Sequence, residues 1–313
     1  MNLHLTFNKY ITHQHPFEND YEGKVVTTLI ESRSNKQEVT KTILYVHGFS
    51  DYFFQTHIMD YFTQHNINFF AVDLRKCGRS LLPHQHPNYC KSFREYFPDL
   101  DYAIEFIYKE NPNTQLFLLG HSTGGLLVTY YAKFGLHRKK VDGVVLNSPF
   151  LDFNIPFYKK PFIGMMAKNK YQKDDFASIE GLSDIYGRSL HKDFEGEWEF
   201  NKDLKPILPF SAYCAWILAV LHVQSIIQEE PNMGDLPILL MHSDVSGNPN
   251  KTTSLTAMSD VVLNVKDMTR VGKKLSNNVK EVIINKGLHD LFLSKKEIRD
   301  KALKKVVDFI YSV

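Results

Sequence analysis

Residues with the chemistry of a nucleophile, an acid and a base follow one another along this chain. Gly120-His121-Ser122-Thr123-Gly124 lies in "FLLGHSTGGLLVTYYAKFG", an apolar run that stops at a serine walled by glycines and then resumes. A serine hydroxyl is a weak nucleophile unless a base activates it, and a sharp strand-to-helix turn would expose it to one. Glycines at either side let strand and helix close together without a Cβ clash. Ser122 would then stand at a helix N-terminus, where backbone N–H groups and the helix dipole favour a developing oxyanion. The N–H of Thr123 is one expected donor. A second is expected from an earlier loop, and the N–H of Phe49 in "ILYVHGFSDYFFQ" fits, with Gly48 turning the chain sharply beside it.

A base is sought at another strand end. "VIINKGLHDLFLS" puts His289 two residues beyond Gly287, at a strand end with a helix to follow. A neutral imidazole there would take the serine proton and return it to the leaving group. Two aspartates follow the strand-like "PILLMHS": Asp244 directly, and Asp260 in "MSDVVLNVKDMTRVGKKL". Position at the strand end favours Asp244. Asp152, after "VVLNSPFL", is a weaker candidate, and Asp290 is expected to cap the helix after it.

These residues need a scaffold, and the chain supplies one. Strand-like runs at "KVVTTLIES", "KTILYVHG", "INFFAVDLR", "TQLFLLGHS", "VDGVVLNSPF", "LPILLMHS" and "KEVIINKGLHD" recur with helical runs between several of them. Pro98 suits a first helical turn and Asn111-Pro112 ends that helix, while Lys295 to Val313 reads as a final helix. Short, nearly continuous apolar strands alternating with helices indicate a mostly parallel sheet covered on both faces. Ligands collect at the carboxyl ends of such strands, where the motifs above all fall.

With His47-Gly48-Phe49, "AVDLRKCGRS", Asp99-Leu100-Asp101, "LGHSTGG" and "GLHD" in view, the chain resembles the α/β-hydrolase superfamily, within it the serine hydrolases related to monoacylglycerol lipases and lysophospholipases. The resemblance spans most of the core from about residue 20 to 310. It implies an α/β-hydrolase fold, an acyl-enzyme on Ser122, no cofactor and no metal. It also favours Asp260 over Asp244, because an acid followed by a short apolar run and an amphipathic helix is the family's usual layout. Asp260 is therefore taken as the acid, with Asp244 kept open. One departure is Lys76-Cys77, where the family usually carries Gly-His.

Between Phe150 and Pro237 the strand rhythm breaks, giving a core over 1–149, a helical insertion over 150–235 and a second core part over 236–313. The insertion falls where the resemblance places a cap that shapes an acyl pocket. Phe162, Met165, Met166, Phe210, Tyr213 and Trp216 are candidates to line it, though half or more are expected merely to pack the cap onto the core. "FSAYCAWILAVLHVQSII" reads as a helix with one buried face; contact with lipid or an acyl chain is its sharper reading. Acidic residues of the same segment (Glu195, Glu197, Glu199, Glu229, Glu230) raise an alternative, an aminopeptidase or amidase with the same triad whose cap acids hold a substrate's ammonium.

Other readings are excluded or discounted. A formal charge of +2, from 37 basic and 35 acidic residues, argues against a nucleic-acid partner. Three cysteines (Cys77, Cys90, Cys214), widely spaced, read as reduced thiols, and the first twenty residues lack a leader-like pattern, so a cytoplasmic address is expected. The His-Gln-His-Pro pairs at His13–Pro16 and His84–Pro87 read as Pro-bearing surface loops, not metal sites. No stable membrane insertion is expected, only transient lipid contact through the cap. The expected substrate is a small acyl ester cleaved by Ser122, His289 and Asp260. A binding protein that keeps the fold without turnover is disfavoured, since all three residue types stand in the right order.

Overall fold

Inside this sheet each apolar strand must bury both its faces, and its side chains divide between two cores. The computed structural model describes residues 10–36, 38–179 and 183–313; the first nine residues, part of the stretch read above for a leader, lie outside them. The strands are β1 (Ile11–Asp20), β2 (Gly23–Ser32), β3 (Lys41–Val46), β4 (Asn68–Asp73), β5 (Gln115–His121), β6 (Val141–Asn147), β7 (Ser178–Ile179), β8 (Ala212–Tyr213), β9 (Ile238–Ser243) and β10 (Val279–Ile284). The helices are α1 (Thr56–Gln64), α2 (Phe97–Glu110), α3 (Thr123–Phe134), α4 (Lys160–Tyr171), α5 (Ile185–Leu190), α6 (Cys214–Glu229), α7 (Val265–Gly272) and α8 (Lys296–Ile310).

Eight strands form one sheet in the order β1-β2-β4-β3-β5-β6-β9-β10. From β4 to β10 every pairing is parallel, whereas β1 and β2 join antiparallel at one edge. Alternation decides which core each side chain enters. Leu44, Val46, Leu116, Leu118 and Leu240 meet α2, α3, α6 and α7 on one face. Ile43, Tyr45, Phe117, Leu119 and Met241 meet α1 and α8 on the other.

The sequence reading placed His13 and His15 in a loop, and this is incorrect: both lie in β1, paired with β2 from Ile11↔Glu31 onward. Proline signalled a loop, yet Pro16 is tolerated because β1 is an edge strand with an open hydrogen-bonding side. Its two imidazoles face α2, where His15 stacks on Tyr102 at 4.1 Å and His13 meets Phe106 at 4.6 Å.

The Lys76-Cys77 departure carries its own compensation. Lys76 has φ +60°, a conformation that favours glycine, and its fully buried Nζ sits 2.7 Å from Asp20 and 2.5 Å from Glu22. The ion pairs fasten this loop to the β1–β2 turn.

Between β6 and β9 lie α4, β7, α5, β8 and α6. Buried residues of α6, Trp216, Val220 and Val223 among them, join the same core as α3, while His222 and Ser225 face outward. Helix α6 thus buries one face against this core. Exposed apolar side chains occur instead on α4: Phe162, Met165 and Met166. No helix among the described residues is long and apolar enough to cross a membrane.

Candidate active site

Ser122 sits between β5 and α3 with φ +53° and ψ −116°, a pair that L-residues seldom adopt. Such strain costs on the order of 1–3 kcal/mol and persists only where its surroundings impose it. Here close approach imposes it. A Cβ on Gly124 would lie 2.2 Å from the Val46 carbonyl oxygen, and one on Gly120 would lie 2.5 Å from the carbonyl oxygen of Gly124. Helix α3 thus presses on β3 and β5, and the chain between can turn only through Ser122. The serine is 8% exposed.

His289 follows β10 and is buried. Its Nδ1 lies 2.8 Å from Asp260 Oδ2. The other carboxylate oxygen of Asp260 accepts from the backbone N–H groups of Val262 and Leu263, each at 2.8 Å. With Asp260 wholly buried and both oxygens occupied, Nδ1 carries the proton and Nε2 remains as the basic nitrogen. The excursion from Val245 to Ser259 returns through paired backbone bonds, Asp260 N–H to Val245 O and Gly247 N–H to Asp260 O.

The other aspartates are engaged elsewhere. Asp244 is exposed and accepts from the Lys286 N–H at 2.8 Å. Asp152 pairs with Lys160 and with Arg270, the latter at 2.6 Å. Asp290 accepts from Phe292 N–H and so caps the short turn Leu291–Leu293, not α8 itself. It also accepts from the side-chain amides of Asn147 and Gln55, at 2.7 and 3.2 Å. Asn147 in turn accepts from Leu291 N–H at 3.2 Å, which ties the His289 loop to the end of β6. Sequence reasoning missed Asn147 and Tyr186, whose hydroxyl accepts from Asp290 N–H at 3.0 Å and whose ring lies 5.4 Å from that of His289. A single polar residue closing "VVLN" is the signal that could have pointed to Asn147.

On the opposite side, His47 fixes the loop after β3. Its Nε2 accepts from Leu74 N–H at 3.1 Å, so Nδ1 must be the donor to the Gly48 carbonyl at 2.8 Å. In a trans peptide the N–H points opposite to the C=O, which turns the Phe49 N–H away from the His47 ring. Gly48 packs against the nucleophile loop, since a Cβ there would meet Ser122 Cβ at 3.3 Å. Phe49 and Thr123 both line a narrow cavity that continues under Trp216, whose ring lies 4.4 Å from that of Phe49.

Of the six expected pocket residues, Trp216 alone lines this cavity. Tyr213 packs on His86 and Tyr89, the N–H of Phe210 donates to Ser50 Oγ at 3.0 Å, and Phe162, Met165 and Met166 point to solvent. The five glutamates that raised the amidase alternative all have partners. Glu195 pairs with Arg188, Glu197 with Arg299, Glu199 with Lys192 and Glu230 with Lys133, and Glu229 accepts from Ser225.

Residues 37–295 match the family described as serine aminopeptidase, S33. The chain belongs to this family. Within it, the chain is 31% identical over 123 residues to a putative monoglyceride lipase of Schizosaccharomyces pombe, covering 37% of this chain and 31% of that protein. It is 29% identical over 136 residues to monoglyceride lipase of Saccharomyces cerevisiae, covering 41% of this chain and 42% of the relative. The matched stretches thus span less than half of either relative. A crystal structure of a soluble variant of the Saccharomyces cerevisiae monoglyceride lipase superposes with a TM-score of 0.73 at 17% identity, covering 97% of this chain and 96% of that one. The S33 member described here therefore has the α/β-hydrolase fold.

Proposed function

We propose that this S33-family chain is a serine hydrolase of carboxylic esters, of the carboxylesterase or monoacylglycerol lipase type. The observation that carries the reading is the 2.8 Å pairing of His289 Nδ1 with the buried Asp260, in a chain whose Ser122 stands in a strained turn at the end of β5. Ser122 Oγ attacks the acyl carbonyl as His289 Nε2 takes its proton. The N–H groups of Phe49 and Thr123 receive the oxyanion, and His289 protonates the departing alkoxide. Water, deprotonated by the same imidazole, then hydrolyses the acyl-enzyme and restores Ser122. Asp260 holds the imidazole tautomer and stabilises its cation. The two monoglyceride lipase relatives support the choice of an acyl ester.

The segment over 150–235 serves in this proposal as a cap, with α4 making transient lipid contact through Phe162, Met165 and Met166 between flanking lysines. A cytoplasmic address belongs to the same proposal, supported by three buried free cysteines. The amidase alternative draws less support, because each of the five glutamates that raised it already has a partner.

The test is hydrolysis of p-nitrophenyl esters from acetate to palmitate, with Ser122→Ala beside the parent. Turnover that vanishes in the variant is expected. Cleavage of aminoacyl anilides without ester turnover would transfer the reading to the peptidase class. No turnover, with Ser122 left unlabelled by a fluorophosphonate, would sink both.

A further inference from the structure

The loop after β3 is gripped from two sides. On the core side, Ser50 N–H donates to Asn88 Oδ1 at 2.8 Å and Phe53 N–H donates to Asp73 Oδ1 at 2.9 Å. The other grip comes from the insertion, in the stretch between α5 and β8. There Phe210 N–H donates to Ser50 Oγ at 3.0 Å and Asn201 N–H donates to the Tyr52 hydroxyl at 2.9 Å. Between these two bonds Lys205 Nζ reaches Asp51 Oδ1 at 2.8 Å. Ser50 itself has φ +51°, a strained value for a residue with a side chain, which persists only where its surroundings impose it.

The ion pair is the unusual tie. Asp51 and Lys205 are both buried, and the rings of Phe54, Tyr186 and Phe200 surround the ammonium at 5.9, 6.0 and 5.8 Å. Desolvating two charges costs about as much as their attraction returns, so apolar side chains of similar volume would serve stability as well or better. Such side chains would not supply an anchor of fixed length and direction. Asp51 lies two residues beyond Phe49, and Gly48 before it packs on the nucleophile loop, where a Cβ would meet Ser122 Cβ at 3.3 Å. The anchored stretch is therefore the one that carries the Phe49 N–H past Ser122.

On the ester-hydrolase reading above, which makes the Phe49 N–H an oxyanion donor, we propose that Lys205 is a positioning residue: through its buried ion pair with Asp51 it holds the oxyanion loop in its working place. Lys205 touches no substrate in this account. It acts on the rate of every ester alike, because each passes through the same oxyanion.

The test compares Lys205→Met with the double variant Asp51→Asn/Lys205→Met, which leaves no buried charge unpaired and so can fold where the single variant does not. Rates for p-nitrophenyl acetate, butyrate and hexanoate are taken per Ser122 titrated to completion with a fluorophosphonate, so that unfolded protein is not counted. Losing one oxyanion donor costs about 10²–10³ in kcat. In the double variant the displaced donor is expected to cost about tenfold or more in kcat, similarly on each ester, with KM within about twofold. Its Tm is expected to recover towards that of the parent all the same. A smaller loss, or one carried by KM or by a single chain length, overturns the proposal, since an ion pair serving stability alone would leave each folded molecule at its parent rate. Hydrogen exchange across residues 47–54, followed by mass spectrometry, reads the loop without any substrate. Faster exchange in the double variant is expected, and parent-like exchange overturns the proposal even if the rates fall. If no ester turns over and Ser122 is not labelled, the ester reading has failed by itself, and the exchange measurement then decides for Lys205.

Discussion

Lys205, from the segment between β6 and β9, sets its Nζ 2.8 Å from Asp51 Oδ1 in the loop after β3, and both side chains are buried. Burial alone would raise the Asp51 carboxyl, but Lys205, with His47 and His121 beyond it, holds it below the usual value. A carboxyl depressed in the folded state adds stability above its unfolded pKa of about 4, and that stability is lost as pH falls through the folded value. Removing the cation strands a buried carboxylate, typically at about 3–5 kcal/mol. Lys205→Met is therefore expected to lower Tm at pH 7. The gap to the parent should narrow towards pH 3, where Asp51 can protonate. Thermal melts at the two pH values check this, and an equal gap at both would remove the ion pair from the account.

The Ser122 backbone predicts a trade between stability and reactivity. Its dihedrals suit glycine, so Ser122→Gly relieves strain of about 1–3 kcal/mol, offset in part by glycine's greater unfolded entropy. The variant is expected to melt at or above the parent temperature while losing fluorophosphonate labelling altogether. A clear fall in Tm would mean that the turn is not strained.

Asp260 and Asp244 are separated by a pair of amide substitutions. Asp260→Asn keeps the shape but removes the charge that holds the His289 tautomer, and a loss of about 10⁴ in kcat is expected. Asp244→Asn touches an exposed loop cap and should leave kcat within about twofold. Equal losses in the two variants would contradict the assignment of the acid.

The α4 surface predicts lipid binding separable from chemistry. Phe162, Met165 and Met166 are 65%, 56% and 40% exposed. Replacing all three with serine is expected to weaken co-sedimentation with anionic phospholipid vesicles severalfold. Hydrolysis of soluble p-nitrophenyl acetate should be unchanged. Undiminished vesicle binding would move the contact elsewhere.

Sequence legibility followed the range of the interactions. The parallel strands and the turn at Ser122 are readable because apolar runs and paired glycines are local signals; the Cβ contacts at Gly120 and Gly124 supply their reason. His289 is readable from Gly-Leu-His-Asp at a strand end. Asp244 and Asp260 could not be separated by local pattern, since the outcome depends on how the excursion from Val245 to Ser259 folds back on itself. Strand β1 escaped notice because proline, histidine and glutamine read as a loop, and only the partner strand and α2 make it regular. The role of Asn88 and the ion pairs of Lys76 are silent for the same reason: their partners lie far away in the chain, at Ser50, Asp20 and Glu22.

The segment carrying α4 to α6 leaves the sheet after β6 and returns at β9, and those two strands are direct parallel neighbours. Its two ends are therefore joined by an existing ladder, and of the stretch between them only α6 is committed to covering the sheet. The part before α6 can change in length or content without rethreading the sheet. The chemistry at the strand ends can stay fixed while the range of molecules admitted to it diversifies.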